Sequence, residues 1–281
     1  MTDNKIALVY FSGTNVTHTY AEVIRGALVD LGCSVQLFNV TAYASRQRDI
    51  MIDDFDGFIF GFPVFNDFAP RVINEWLGTL DSEGKRCTQF FTYGARTTGY
   101  SHFHTMQLLQ VAGFRVMLSA EFLGRHSLNL CGWEILPNRP DEGDFAVARD
   151  YALVSLDLFK QDNPGEFRLQ KPFGYNQAVR VINEISKSLT NPRRIVDDCS
   201  MCRDCETECP TQSFNADMGL SDAARCIDCM RCVYICPDDV IKIDERVKAA
   251  YNDFLRNWNL TENMMRAKRS KIIREPNQAA F

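Results

Sequence analysis

Eight cysteines fall within 38 residues, and their spacing is the most specific chemical signal in the chain. Cys199-x2-Cys202-x2-Cys205-x3-Cys209-Pro210 recurs as Cys226-x2-Cys229-x2-Cys232-x3-Cys236-Pro237, one unit at a period of 27 residues. Two-residue gaps let three thiolates on a tight loop reach three irons of one cubane. The fourth cysteine, one turn further on, serves the other cluster. That assigns Cys199, Cys202, Cys205 and Cys236 to one 4Fe–4S cluster, and Cys209, Cys226, Cys229 and Cys232 to a second. Zinc ribbons use pairs of Cys-x2-Cys, not triplets closed by Cys-Pro. Of the three remaining cysteines, Cys33 and Cys87 read as small buried hydrophobes. Cys131, beside Gly132-Trp133, keeps an open role.

A second constellation lies near the N-terminus, where Ser12-Gly13-Thr14-Asn15-Val16-Thr17 separates an apolar run from a helical period. Hydroxyls and backbone N–H groups at a helix start form an anion site suited to a phosphate monoester. Neither a Gly-x-Gly-x-x-Gly dinucleotide loop nor a Walker lysine is present. Neutral donors without a lysine or arginine favour the phosphate of FMN over a triphosphate.

The elements that must position these residues alternate. Residues 6–11, 34–40, 55–60, 87–93 and 114–121 read as short buried strands. Residues 17–31, 69–80, 101–111 and 143–161 read as helices, with Gly32 closing the first and Pro70 in the first turn of the second. Such alternation means βαβ units, and a parallel sheet with helices on both faces. Residues 122–141, with Gly124, Gly132, Pro137 and Pro140, interrupt the rhythm as an extended loop. Asn163-Pro164-Gly165 marks a linker, followed by predicted helices over 178–189 and 246–258. The expected division is 1–165 for the first domain, 166–194 for a linker helix, 195–245 for the cysteine domain and 246–281 for a basic helix and tail.

The first 160 residues, over about 4–161, resemble the flavodoxin family. Its phosphate loop, Ser/Thr-x-Thr-Gly-x-Thr, is matched at Ser12, Thr14 and Thr17. It is departed from at Asn15, which replaces glycine, and at Val16, where asparagine is usual. Asparagine tolerates positive φ better than other side chains, so the turn can survive. The resemblance implies a doubly wound, parallel five-stranded sheet of order 2-1-3-4-5 and bound FMN. It also implies ring contacts from Pro63, Val64, Phe65 and Asn66 after strand three, and from Tyr93, Gly94, Ala95, Arg96 and Tyr100 after strand four. Phe65 and Tyr100 would lie against the isoalloxazine. The acidic residue many flavodoxins carry in the second loop is missing, and Arg96 stands in that neighbourhood. Residues 195–245 resemble the bacterial two-cluster ferredoxins, which implies a compact α+β pseudo-twofold fold passing single electrons at low potential. Together the two halves resemble the flavodoxin–ferredoxin fusion proteins of anaerobes, a family without one assigned reaction.

Net charge is −5, without the basic face a nucleic-acid binder needs. The charge is uneven: residues 195–245 hold twelve acidic and four basic residues, whereas 246–281 hold eight basic and three acidic. No apolar run approaches the roughly 18 residues of a membrane span, and the N-terminus lacks the pattern of a signal peptide. A cytoplasmic protein is expected. The leading function is electron transfer between FMN and the clusters, serving a redox protein partner. The alternative is a flavin-dependent reductase of a small-molecule substrate covered by loop 122–141, with Arg125, His126, Trp133 and Arg139 supplying charge and stacking. A redox sensor would need an output module, and no DNA-binding motif is recognisable. His102 and His104, two residues apart, are poorly spaced for a metal and read as solvated or as flavin-edge residues.

Overall fold

In the computed structural model, which describes residues 4–94, 96–184 and 190–274, each apolar run of the first half becomes a buried strand. The order is β1 (Lys5–Tyr10), α1 (Val16–Asp30), β2 (Ser34–Asn39), β3 (Gly57–Pro63), α2 (Arg71–Leu77), β4 (Arg86–Tyr93), α3 (Ser101–Val111), β5 (Arg115–Leu123) and α4 (Glu142–Lys160). These strands pair in parallel in the order β2-β1-β3-β4-β5, the flavodoxin-like doubly wound arrangement. Adjacent side chains of a strand point to opposite faces. Val9, Phe60 and Phe91 therefore join Trp76 and Phe103 in one core, while Leu8, Ile59 and Phe90 join Tyr20, Ile24 and Tyr151 in the other. Burial on both faces explains why the strands read as continuous hydrophobic runs rather than as alternation. A capping box between Asp141 and Asp144 starts α4.

A helix, α5 (Tyr175–Glu184), leads toward the cysteine module. It begins three residues before the expected start, and residues 185–189 of the expected helix lie outside the described residues. The module repeats itself in backbone as well as in sequence. Its elements are β6 (Arg193–Arg194), α6 (Asp204–Thr207), β7 (Phe214–Asn215), β8 (Leu220–Ser221), α7 (Arg231–Ile235) and β9 (Ile241–Lys242). β6 maps onto β8, α6 onto α7 and β7 onto β9 by the same 27-residue step as the cysteines. Left-handed residues obey it too: Met201 and Arg203 correspond to Asp228 and Met230. These turns bring the cysteines of each Cys-x2-Cys-x2-Cys loop to the wall of one cavity.

The chain then returns to the first unit. α8 (Glu245–Ala249) and α9 (Tyr251–Asn257) replace the single helix expected over 246–258, and α10 (Glu262–Ala267) follows. The last described element, β10 (Lys271–Ile273), pairs antiparallel with β5, placing Lys271 opposite Glu121 and Ile273 opposite Ser119. The sheet therefore has six strands rather than the expected five. The sixth carries no sequence pattern, because three residues in a basic tail become a strand only where β5 offers them an edge. Ser270 anchors the return: its hydroxyl donates to Asp144 Oδ1 at 2.5 Å and accepts from the Leu123 N–H at 2.9 Å.

Loop 122–141 is pinned beneath these helices. Its first residues extend β5, and 127–131 form a 3-10 turn. Trp133 is 5% exposed, packs on Tyr251 and Phe254, and donates its indole N–H to the Val247 carbonyl at 2.8 Å. No helix among the described residues is long and apolar enough to cross a membrane.

Candidate cofactor sites

The loop after β1 bends through Asn15, whose φ of 63° is the left-handed conformation that glycine would otherwise supply, and Asn15 is the N-cap of α1. Ser12, Thr14 and Thr17 are all buried. Ser12 Oγ accepts from the His18 N–H at 3.2 Å, so its own proton remains available to a ligand. Thr17 Oγ1 lies 2.8 Å from Thr92 Oγ1; one of that pair donates to the other and one proton is left. Ser12, Gly13, Thr14, Val16 and Thr17 form one wall of a cavity. Pro63, Val64 and Phe65 after β3, and Tyr93 and Gly94 at the end of β4, form others. Phe65 meets Phe11 edge-on at 6.1 Å, which fixes its ring. This set fits FMN: neutral donors at a helix N-terminus for the phosphate, and apolar side chains for the ring.

Several residues expected at the ring are engaged elsewhere. Tyr100 stacks on Phe68 at 5.4 Å, and its hydroxyl donates to the Phe173 carbonyl at 3.3 Å, so it does not line the cavity. Arg96 pairs with Asp67 and lies 4.0 Å over the Trp258 ring, which removes it from the wall. Asn66 occupies a left-handed turn and Asn15 turns its amide to Arg231, 3.2 Å away; neither lines the cavity. Ala95 lies outside the described residues.

Residues beyond the expected set complete the wall: Thr92, Gly124, Arg125, His126, Ser127 and Cys229. His126 Nδ1 accepts from the Leu128 N–H at 3.1 Å, which leaves Nε2 as the protonated nitrogen. Burial, and then the Arg96 charge, bring its pKa down to about 4, so the ring is neutral near pH 7. Of the residues singled out for a substrate, Arg125 and His126 reach this cavity. Trp133 serves packing, and Arg139 pairs with Asp144 at the head of α4.

Behind the wall is a buried network that no local sequence pattern announces. Glu121, 2% exposed, accepts from Thr98 Oγ1 at 3.1 Å and from the Tyr93 hydroxyl at 3.3 Å, with Lys271 Nζ 3.4 Å away. His102 is likewise buried, its Nδ1 2.6 Å from Ser119 Oγ and its Nε2 3.4 Å from Glu121. His104 lies 2.7 Å from the Tyr175 hydroxyl. His102 is thus buried and His104 half-buried against Tyr175, rather than free in solvent. Burial raises the Glu121 carboxyl, but His102, Lys271 and Thr98 outweigh it and bring the pKa below the ordinary value.

In the cysteine module, one cavity is walled by Cys199, Cys202, Cys205 and Cys236, and another by Cys209, Cys226, Cys229 and Cys232. Each set offers four thiols, the ligand count of a cubane. Among the described residues, no three His, Cys, Asp or Glu side chains converge on a position for a single metal ion. The two sets differ in surroundings. Cys202 is exposed, whereas Cys209 and Cys229 are buried. Burial pushes the Cys205 thiol up to about 11 and raises those of Cys229 and Cys232 as well. At Cys209 burial is outweighed by hydrogen bonds from Ser213, Phe214 and Thr211, and its pKa falls below the ordinary value.

Residues 191–246 match the family model of the 4Fe–4S dicluster domain. Ferredoxin-2 of Chlorobaculum tepidum is 38% identical over 56 residues, covering 17% of this chain and 90% of that protein. Among solved structures, a flavodoxin from the domain Archaea is similar at TM-score 0.42 and 17% identity, over 56% of this chain and 99% of that one. A WrbA-like flavodoxin of Agrobacterium tumefaciens is similar at TM-score 0.41 and 15% identity, over 57% and 100%.

Proposed function

This chain belongs, through residues 191–246, to the 4Fe–4S dicluster ferredoxins, and from that premise we propose that it transfers electrons between its two clusters and an FMN in its N-terminal unit. One observation carries the reading: Cys229 lines both the cavity of the Cys209 set and the cavity beside the phosphate loop. The two cofactor sites are therefore separated by the thickness of one residue. Gly13 permits this approach, because a methyl group built on it would fall well inside contact distance of the Cys229 carbonyl oxygen. Arg231 adds a clamp, bonding Asn15 at 3.2 Å and Glu208 at 2.8 Å.

Bound there, a flavin supplies one- or two-electron exchange and each cluster supplies one-electron exchange, so one chain can join partners of both kinds. The protein's part is to hold these groups close and to exclude water. Ser12, Thr14 and Thr17 hold the phosphate, Val64 and Phe65 flank the ring, and the neutral His126 presents an N–H to the cavity. The eight cysteines of the repeat ligate the clusters, four each, as the cavity walls divide them. The Cys199 set, with exposed Cys202 in an acidic module, is the face a protein partner would meet. Opposite charge on that partner would steer the encounter. The functional boundary between the units falls within 166–194.

The reductase alternative draws support only from Arg125 and His126, since Trp133 and Arg139 have structural work. Anaerobic stopped-flow with a low-potential one-electron donor, following cluster bleaching and flavin absorbance separately, tests the proposal. The clusters should be reduced first. The flavin should follow at a rate independent of protein concentration and nearly insensitive to salt. Flavin reduction that requires a hydride donor and precedes the clusters would reverse the direction. Flavin reoxidation by organic acceptors alone would favour the reductase.

A further inference from the structure

Arg46 sits on the 3-10 turn Tyr43–Gln47 of the N-terminal unit and is 9% exposed. One nitrogen, Nη1, donates to the carbonyls of Val40 and Thr41 at 2.8 Å each and of Ala42 at 3.3 Å. The other, Nη2, crosses to the cysteine module and donates to the Pro210 carbonyl. Beside it the Tyr43 N–H donates to the Cys209 carbonyl at 3.4 Å. Every acceptor of Arg46 is a neutral carbonyl, and among the described residues no carboxylate comes within ion-pair distance of it. Its charge is thus buried at the junction without a direct ion pair, an expensive arrangement unless something nearby is negative. Burial pulls the guanidinium below its ordinary pKa, and Tyr43, Glu75 and the side chains of Cys209 and Cys229 push it back.

The other arginines near the cysteines are not in this condition. Arg231 is paired with Glu208. Beside the Cys199 set, Arg203 pairs with Glu206 and Asp217, and Arg194 feels the same Asp217. Solvent reaches that set through Cys202. Arg194 and Arg203 line that set but are half-buried and exposed respectively, so among the described residues a buried arginine stands beside only one of the two cysteine sets.

We propose that Arg46 is the counter-charge of the cluster held by Cys209, Cys226, Cys229 and Cys232, and that it raises the reduction potential of that cluster. Reduction adds one negative charge to a cluster, and a cation in a low-dielectric surround favours that state. Because Arg46 belongs to the other unit, the effect exists only while the units are docked. Coupling is reciprocal, so reduction of this cluster must tighten the docking in turn. The cation favours an electron resting on the flavin-side set.

The inference rests on the reading of those four cysteines as ligands, and iron content separates the two failures. Wild-type protein with about eight irons, half of them lost in Cys226→Ala, upholds the ligand reading and identifies the signal of this cluster. Redox titration followed by electron paramagnetic resonance then tests Arg46 itself. In Arg46→Gln the reduced-to-oxidised ratio of this cluster at fixed poise should fall about tenfold, equivalent to about 59 mV for one electron. The other cluster should not move. Arg46→Lys, which keeps the charge and loses the fork, should stay near wild type. Equal shifts of both clusters, no shift, or a lysine variant that behaves like the glutamine one would overturn the proposal. Hydrogen exchange on the wild-type chain needs no variant: amides at 40–47 and 209–213 should exchange more slowly after reduction. Unchanged or faster exchange there would also overturn it.

Discussion

Replacing Gly13 by alanine probes the junction with a single methyl group. The φ of Gly13 lies outside the left-handed region, so alanine adopts the native backbone without strain. What it meets is the main chain of Cys229: the carbonyl oxygen well inside contact distance, the carbonyl carbon at 3.2 Å and Cβ at 3.4 Å. Backbone on both sides cannot swing aside as a long side chain would, so the units must separate slightly. Overpacking of this kind costs about 1–3 kcal/mol. Set against the docked arrangement, that lowers its equilibrium constant about five- to 150-fold. The phosphate loop keeps its hydroxyls and each cysteine set keeps its four thiols, so FMN and iron contents should match wild type. In stopped-flow the clusters should be reduced by an external donor at the normal rate, while the following flavin step slows by up to that factor. An unchanged flavin step would show that close approach of Gly13 and Cys229 is not the competent arrangement. Loss of FMN with a normal flavin step in the remaining holoprotein would place the damage in the loop, and refute the argument equally.

Three further outcomes are expected. Cys205→Ala should retain FMN and lose about four of eight irons; recovery of zinc or of a 2Fe–2S spectrum from fresh protein would remove the cubane assignment. Thr14→Ala should weaken FMN binding by about 1.5–3 kcal/mol, the value of a hydrogen bond to a charged group, and fluorescence titration of the apoprotein would reveal a phosphate bound elsewhere if affinity held. His126 carries a folded-state pKa near 4 against an ordinary 6.5. Between those values the unfolded chain takes up a proton that the native ring refuses. Its contribution is therefore intact above pH 6.5 and lost as pH falls toward 4. Urea unfolding at pH 7 and pH 5 should show a smaller loss in His126→Gln than in wild type; equal losses would mean the ring is not held neutral.

The parts of this molecule that can be read from sequence are those decided locally. The strands at 6–11 and 55–60 declare themselves because burial on both faces demands unbroken apolar runs. The division of the cysteines follows from one repeated unit. Asn15 could be picked out as a left-handed turn because few side chains tolerate that conformation. What escapes the sequence depends on partners far along the chain. Tyr100 is drawn to Phe68 and toward Tyr175, and Arg96 to Asp67 and Trp258, none of which its own neighbourhood announces. Glu121 sits inside a strand where a charge would normally argue against burial, and only Thr98, Tyr93, His102 and Lys271 make it acceptable. Two-residue strands such as β6 and β9 are shorter than any periodic signal.

The position of β10 carries a consequence for how the protein is made. It completes the first sheet, yet it leaves the ribosome after the whole cysteine module. In wiring terms the module is a guest inserted between two stretches of its host. Until residues 271–273 emerge, the outer edge of β5 presents unpaired N–H and C=O groups over Ser119–Glu121, a template for strand addition from a neighbouring chain. Asp144 and the Leu123 N–H meanwhile wait for Ser270. A fragment cut in the 166–194 segment to obtain the flavin unit alone would keep that edge open permanently. Keeping the chain from about 262 onward, joined to the flavin unit by a short flexible linker in place of the module, restores the strand and its serine anchor.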